Sequence, residues 1–335
     1  MVAFLVAITR KIKGMAKEAF VNAQRAKKDE FYTQIGDIER ECSKYKAQFK
    51  DKIIFLNCDD PLESNFWRHF ALNFTRYGLK KLVATHFDRV KSTYKLELTG
   101  DMNEDGSINE SDIVKTPLKQ NGDFRSAECI ELLKQADVVV TNPPFSLFRE
   151  YVAQLVEYNK KFLIIGNTNA LTYKEIFELV KEDKLRTGYT NFNVGMYFYV
   201  PDDWEKYHKI ENGKKLVRVS TSCWFTNLEV VKHHEKLVLY KKYDPDEYPR
   251  YYNYDAIEVS KVSDIPMDYA GQMGVPITFI DKYNPDQFEI IGKGVQLEKT
   301  IRFPGDKATL WIEKDGRPWK APFERVIIKN KEFKT

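Results

Sequence analysis

Cysteine is scarce. Cys42, Cys58, Cys129 and Cys223 are the four in 335 residues, and no two form a CxxC pair. That spacing argues against a disulfide framework or a zinc knuckle and fits free thiols in a reducing compartment. No stretch is long and apolar enough to span a bilayer. The opening MVAFLVAITRKIKG carries its basic residues behind the apolar patch and has no small-residue cleavage site, so it is a poor signal peptide. A cytoplasmic protein without a membrane partner is expected. Neither sign of charge prevails, with 53 Lys and Arg against 49 Asp and Glu and a net charge of +4. Such a balance permits a polyanionic partner without requiring one.

Glycine is missing where a nucleotide-binding sheet would use it. The turn after the first predicted buried strand, KIIFL, is NCDDPLESN, with no glycine in it. A pyrophosphate needs close backbone approach at a helix N-terminus, and two aspartates there repel it. Phosphate-bearing cofactors are therefore disfavoured. A ligand with a cationic centre and ribose hydroxyls suits the carboxylates better, and S-adenosylmethionine, a sulfonium without phosphate, has those properties. Asp59 and Asp60 can at the same time cap the helix that follows.

What is present is an alternation of short apolar runs with amphipathic stretches. KIIFLNCDD, KKLVATHFD, ADVVVT and KFLIIGN read as buried strands. Between and after them, SNFWRHFALNFTRY, CIELLKQ, YVAQLVEY and YKEIFELVKED read as helices. This pattern predicts an α/β fold with a doubly wound, mostly parallel sheet. After about residue 195 the texture changes, and GMYFYVPDDW, LVRVSTSCWFTNL and HEKLVLYKKY alternate with period two like strands. Residues 229–335 carry 18 basic and 18 acidic residues, so this tail is not a simple basic patch. Residues 1–28 hold seven Lys or Arg against Glu18 alone, which suits a solvated helical face or an arm that touches phosphates.

The Val138–Val140 run ends in Asn142-Pro143-Pro144-Phe145. Prolines end sheet pairing, because they lack an N–H and fix φ. The groups that follow are thus held at the C-terminal edge of the strand, where open α/β sheets bind ligands. Asp88 closes HFD, and Asp123 lies 19 residues before Asn142, one helix and one strand earlier, so both carboxylates fall on that edge. An acid at the second strand suits ribose hydroxyls, and the Asp123-Phe124 pair suits an adenine. An exocyclic amine such as adenine N6 is a poor nucleophile, since its lone pair is delocalised into the ring. Two acceptors on its N–H hydrogens, the Asn142 side-chain carbonyl and the Pro143 main-chain carbonyl stiffened by Pro144, would draw that nitrogen towards tetrahedral geometry. Phe145 offers a stacking face. Such preorganised dipoles need no titrating base.

In this order, DEFYTQ (29–34), NCDDP (57–61), GDFRS (122–126), NPPFSLF (142–148), TSCWFTNL (221–228) and GVPITF (274–279) resemble the EcoRI-type DNA adenine-N6 methyltransferase family. The resemblance implies a Rossmann-like S-adenosylmethionine-dependent methyltransferase fold with a C-terminal target-recognition region. It implies Phe31, Tyr32 and Thr33 at the methionine end of the cofactor, and Asn57, Cys58, Asp59 and Asp60 at its main turn. Asp88 would reach the ribose, and Asp123 and Phe124 the adenine. Trp224 and Phe225 are candidates for a second aromatic wall around an extruded base, or for ordinary core packing. The expected division is a basic arm at 1–28, a catalytic domain at 29–228 and a recognition region at 229–335. The expected activity is methylation of adenine N6 in double-stranded DNA by base flipping, in a restriction–modification system with a cognate endonuclease that need not bind, or as an orphan enzyme. Methylation of RNA adenine or protein glutamine, or nucleic-acid binding without catalysis, are the competing readings.

One segment stands outside this logic. GDMNEDGSINESD places Asp101, Asn103, Asp105 and Asp112 around Gly106 at the spacing of a calcium loop, with a short Asp in place of the bidentate Glu. An acidic hairpin rich in turn residues gives the same letters. His233 and His234 are adjacent, point apart and are expected at the surface.

Overall fold

The structure, a computed structural model, describes residues 31–88, 93–294, 310–314, 317–320 and 323–332. The basic segment 1–28 lies outside them. Chain contacts divide the protein into two compact units, one reaching to Ala170 and resuming over Thr187–Glu229, the other formed by Leu171–Arg186 with the chain from Val230 onward.

In the first unit the central apolar runs, Ile53–Leu56, Lys81–Thr85, Val138–Thr141 and Lys161–Asn167, become strands because β-branched and aromatic residues fill a surface buried on both faces. The strands up to Asn167 are β1 (Tyr32–Thr33), β2 (Ile53–Leu56), β3 (Lys81–Thr85), β4 (Tyr94–Leu98), β5 (Val114–Pro117), β6 (Val138–Thr141) and β7 (Lys161–Asn167). β3, β2, β6 and β7 lie side by side and parallel. The helices Asn65–Leu72, Ala127–Gln135 and Phe148–Glu157 connect them. Two helices begin on serine caps, Ser64 Oγ accepting from Phe66 N–H and Ser126 Oγ from Cys129 N–H.

The sheet is mixed, which corrects the expectation of a mostly parallel one. β4 joins β3 antiparallel, β5 joins β4 antiparallel, and the Ser222–Thr226 strand joins β7 antiparallel. The reason lies in chain length: only residues 86–93 separate β3 from β4, too few for the crossover a parallel neighbour requires. β4 also shows one-sided burial, alternating along YKLEL, as an edge-proximal antiparallel strand should. From β2 the chain moves outward to β3, then returns to place β6 on the other flank of β2. That reversal opens a crevice at the C-terminal ends of β2 and β6. A second, antiparallel sheet pairs β1 with Met196–Tyr199, then Lys214–Val219, then Lys209–Glu211.

The second unit contains the helix Lys174–Lys181 and a sheet ordered Ile257–Glu258, Gln272–Pro276, Arg325–Asn330, Phe288–Lys293. Its buried Glu258 carboxylate meets Arg325 at 2.6 Å and accepts the Tyr251 hydroxyl. The Glu258 and Arg325 side chains are 1% and 4% exposed, so removing either one alone strands a buried charge. Two expectations fail here. HEKLVLYKKY is not a strand: Val231–His234 forms a 3-10 turn, and the remainder finds no ladder beyond a single bridge from Lys241 to Pro266. His233 is not a surface residue, since its ring is buried with Nδ1 2.9 Å from the Tyr283 carbonyl, whereas His234 is exposed beside Asp286.

A histidine in the first unit gives the fold a pH dependence. His69, on the buried face of the Asn65–Leu72 helix, is 3% exposed, with Nε2 2.8 Å from the Tyr77 hydroxyl. Burial, then the Arg76 charge, pushes its pKa down to about 4. The unfolded chain, with an imidazole near pKa 6.5, therefore binds the proton first as pH falls. Stability from this group is complete above about pH 6.5 and is lost towards pH 4, up to about 3 kcal/mol. His69→Gln should flatten that part of the stability profile. Urea midpoints at about pH 7 and about pH 5 read it, and an unchanged difference between them would contradict the assignment.

Candidate active site

Two asparagines flank the crevice. β2 and β6 run in register, with Phe55 opposite Val139, so Asn57 and Asn142 leave the ends of adjacent strands. Asn57 is buried, and its Oδ1 accepts the hydroxyl of Tyr151 from the Phe148–Glu157 helix. Its Nδ2 is buried without a hydrogen-bond partner. Burial, then the Asp59 carboxylate, pushes the neighbouring Cys58 thiol well up, so it stays protonated at neutral pH. Asp59 accepts from Ser64 Oγ at 3.0 Å. Asp60 accepts from Leu62 N–H and from the Tyr94 hydroxyl at 2.7 Å, with His86 Nδ1 at 3.5 Å. The expectation that Asp59 and Asp60 cap the helix is corrected, since Ser64 is its cap and the two carboxylates instead brace the turn before it and hold negative charge at the sheet edge.

Asp88 and Asp123 come to the same edge through a glycine. Asp88 N–H donates to the Asn121 carbonyl, and a Cβ on Gly122 (φ 73°) would lie 2.1 Å from the His86 carbonyl oxygen. Only the bare backbone can pack so closely against the end of β3. Arg125 grips Asp123, Nε at 2.8 Å and Nη2 at 2.7 Å, and its main-chain N–H reaches the same carboxylate at 2.9 Å. The Phe124 ring meets Tyr151 edge-on at 5.0 Å. Phe124, Tyr151 and Asn57 therefore form one linked set.

At the end of β6 the two prolines stiffen the turn. Pro144 is extended, its carbonyl accepts from Leu147 N–H, and Phe145 starts the 3-10 turn that enters the next helix. Asn142 Nδ2 donates to the Phe31 carbonyl at 2.6 Å. That bond fixes which way the amide faces. Asn142 Oδ1, buried in the same residue, has no hydrogen-bond partner. A buried carbonyl left so costs about 1–3 kcal/mol, a cost proteins keep where a ligand completes the bond. Phe31 stands at the centre of four rings. It stacks on Phe145 at 6.0 Å and 22°, and meets Phe198 and Trp204 edge-on at 5.7 Å each. β1 follows directly: Tyr32 pairs with Tyr199, the Thr33 carbonyl accepts from Asn65 Nδ2 at 2.7 Å, and Thr33 Oγ1 is buried without a hydrogen-bond partner.

The sequence reading missed Phe198, Trp204, Tyr151 and Asn65. Phe198 had a visible signal in the alternation of MYFYV, but nothing local marks which strand it faces. Trp224 and Phe225 resolve to core packing. Both are fully buried, against Phe66 at 6.0 Å and Phe148 at 5.2 Å, and the wall around Phe145 is built from Phe31 and Phe198 instead. The calcium-spaced residues lie on the loop between β4 and β5. There Asp101 accepts from Asp105 and Gly106 N–H, Asp105 from Ser107 N–H, and Asp112 from Met102 and Asn109 N–H. Asn103 Nδ2 donates to Ser111 Oγ. Among the described residues no group of three or more His, Cys, Asp or Glu is placed to hold a metal ion.

Comparison with known proteins adds an independent finding. The family described as "Adenine-specific methyltransferase EcoRI" matches residues 19–331. The chain is 44% identical over 330 residues to the "Type II methyltransferase M.EcoRI" of Escherichia coli, covering 93% of this chain and 96% of that one. It is 42% identical over 280 residues to the "Type II methyltransferase M.MpnI" of Mycoplasma pneumoniae, covering 81% and 84%. A Type II methyltransferase of Mycoplasma genitalium is 41% identical over 280 residues, covering 81% and 85%. No solved structure matches the chain.

The packing at Gly122 can be tested against a second glycine. Gly106 has a similar left-handed φ of 87° but open space around its Cβ position. Gly106→Ala should cost only the backbone penalty, about 1–2 kcal/mol. Gly122→Ala should cost about 1–3 kcal/mol more, from the added clash with the His86 carbonyl. Thermal midpoints of the two variants decide it, and equal losses would show that the 121–123 turn is not packed as described.

Proposed function

The chain belongs to the EcoRI family of adenine-specific methyltransferases, and on that premise we propose that it carries the methyl group of S-adenosylmethionine to adenine N6 in double-stranded DNA. The enzyme is a site-specific DNA adenine methyltransferase of the Type II restriction–modification class. The observation that carries the mechanism is the orientation of Asn142, with Nδ2 spent on Phe31 and the buried Oδ1 turned to no partner. An adenine amine offers two N–H donors. Asn142 Oδ1 takes one and the Pro143 carbonyl the other, which draws the nitrogen towards tetrahedral geometry and localises its lone pair for the methyl donor. Both acceptors are fixed before the base arrives, so no reorganisation is spent at the chemical step. The base must leave the helix to reach them, and Phe145, already backed by Phe31, gives it a stacking face worth about 1–3 kcal/mol.

The edge residues suit the cofactor. Asn57 Nδ2 and Thr33 Oγ1 are buried polar atoms without hydrogen-bond partners, beside carboxylates that favour a cation and ribose hydroxyls over a phosphate. When bound, S-adenosylmethionine supplies an electrophilic methyl group on a sulfonium. Phe31, Tyr32 and Thr33 would line its methionine end, with Asn57, Cys58, Asp59 and Asp60 at the turn. Asp88 would hold the ribose, and Asp123, steadied by Arg125, with Phe124 the adenine. We assign the α/β fold to the Rossmann-like methyltransferase class on the strength of the family and the parallel β3-β2-β6-β7 core. The second unit has its own core, including Tyr251, Leu310 and Ile327, and is assigned the reading of the target sequence, with the basic residues 1–28 adding grip on the duplex. No helix among the described residues is long and apolar enough to cross a membrane. The proposed setting is the cytoplasm, alongside an endonuclease that shares the target site without binding the enzyme.

The test is sequencing of DNA from cells expressing the protein, by a method that reads N6-methyladenine. One recurrent sequence with a methylated adenine is expected. Labelled methyl groups appearing in RNA or in protein glutamine, and not in duplex DNA, would overturn the reading. Asn142→Ala should lower the single-turnover methylation rate by a factor on the order of a hundred or more while leaving cofactor affinity nearly intact. Phe145→Tyr should be tolerated. Phe145→Ala should be impaired and partly rescued by a mismatched target adenine, which costs less to extrude, whereas Asn142→Ala should not be rescued. In calorimetry, Asp88→Ala should weaken S-adenosylmethionine binding more than DNA binding, and equal losses would remove Asp88 from the cofactor edge.

A further inference from the structure

The small antiparallel sheet has two faces of different character. Side chains alternate along its strands, so Met196 and Phe198 are buried while Tyr197 and Tyr199 turn to the outer face. The register sets Tyr32 opposite Tyr199 and Arg218 opposite Tyr197. Three cations rest on these rings. Lys209 Nζ lies 4.8 Å from the Tyr197 centroid, the Arg218 guanidinium carbon 5.9 Å from the same ring, and Lys214 Nζ 5.6 Å from Tyr199. Asn212 (φ 51°) and Gly213 (φ 75°) make the two-residue turn that joins the Lys209 and Lys214 strands, a turn whose twist matches that of the hairpin. One acid on these strands, Glu211, pairs with Lys209 at 2.8 Å. Beside the face lies a cleft of about 730 Å³ lined in part by Tyr32, Tyr199, Arg68 and Lys214, with Glu63 and Asp202.

We propose that this outer face is the docking surface for the sugar-phosphate backbone of the duplex next to the displaced adenine, with Lys209, Lys214 and Arg218 on the phosphates. The proposal rests on the methyltransferase reading and names a surface that reading leaves open. Three features favour DNA backbone as the occupant. The cations are held over aromatic rings, which orients them outward at little cost in side-chain entropy, and Arg can meet a phosphate with two donors. The surface is a sheet carrying charges and rings, as suits contacts that position a duplex without reading it. Within the same sheet, Met196–Tyr199 carries Phe198 on its inner side against Phe145, and Phe31, immediately before the edge strand β1, stacks on the same ring. Backbone held on the outer face is therefore one layer of polypeptide away from the catalytic turn.

The experiment uses the full chain and a fluorescent duplex containing the target sequence, with anisotropy titrations from about 50 to about 200 mM salt. The triple variant Lys209→Ala, Lys214→Ala, Arg218→Ala should weaken binding on the order of tenfold to a thousandfold. The slope of log affinity against log salt should fall by about 2.7, or 0.9 per lost phosphate contact. The charge-keeping variant Lys209→Arg, Lys214→Arg, Arg218→Lys should retain the parent slope. Removing three exposed lysines elsewhere in this unit, Lys44, Lys50 and Lys80, should move the slope by less than one. A parent-like slope and affinity in the first variant overturns the proposal, as does an equal loss in the Lys44, Lys50, Lys80 control. If the parent transfers no methyl group to any duplex, the methyltransferase reading fails first and takes this surface with it.

Discussion

The site depends on one hydrogen bond, from Asn142 Nδ2 to the carbonyl of Phe31. An asparagine amide is nearly symmetric in shape, so packing alone does not decide which end faces a ligand. The Phe31 carbonyl decides it, because a carbonyl accepts only from the NH₂ end. The bond also ties β6 to the segment entering β1, which is 111 positions earlier in the chain. The Asn-Pro-Pro turn, the acidic sheet edge and the small antiparallel sheet are thereby set relative to one another. Phe31 then serves twice, with its carbonyl holding Asn142 and its ring backing Phe145.

Charge is arranged around this point with economy. The carboxylates of Asp59, Asp60, Asp88 and Asp123 stand at one edge, yet three of them also have a local task. Asp59 and Asp60 close the turn before the Asn65–Leu72 helix, and Asp123 is paired with Arg125. A sulfonium cofactor is compatible with that edge and a pyrophosphate is not. Asn142 and the prolines carry no ionisable group, so the proposed catalytic turn offers dipoles that pH does not alter. One deeply buried acid of the first unit, Glu41, instead pins structure. It accepts from Tyr45 and from the Tyr189 and Thr190 main chain, and burial raises its pKa.

Much of this was legible in the letters. The buried strands and their helices declare themselves through apolar runs of the right length, and counting elements places Asn57, Asp88 and Asn142 just past strand ends, whereas Asp123, expected to end a strand-like run, lies in the turn before the Ala127–Gln135 helix. What the letters could not carry was tertiary pairing. YKLEL and HEKLVLYKKY both alternate, but only the first has a neighbouring strand to pair with. Trp224 and Phe225 resemble a base-stacking wall in sequence and are interior residues in space. His233 differs from His234 by one position and by complete burial. The Phe31 carbonyl had no sequence signal at all, since every residue carries a main-chain oxygen. The ring of Phe31 was noticed, but its place beside Phe145 depends on the register of β1 with Met196–Tyr199.

The most direct test is a crystal structure of the enzyme with its target duplex and a non-reactive analogue of S-adenosylmethionine. The account predicts the target adenine outside the helix and stacked on Phe145. Its N6 should lie about 3 Å from both Asn142 Oδ1 and the Pro143 carbonyl, with Asn142 Nδ2 still on Phe31. An adenine that remains stacked in the duplex, or an Asn142 amide that turns its NH₂ towards the base, would contradict it.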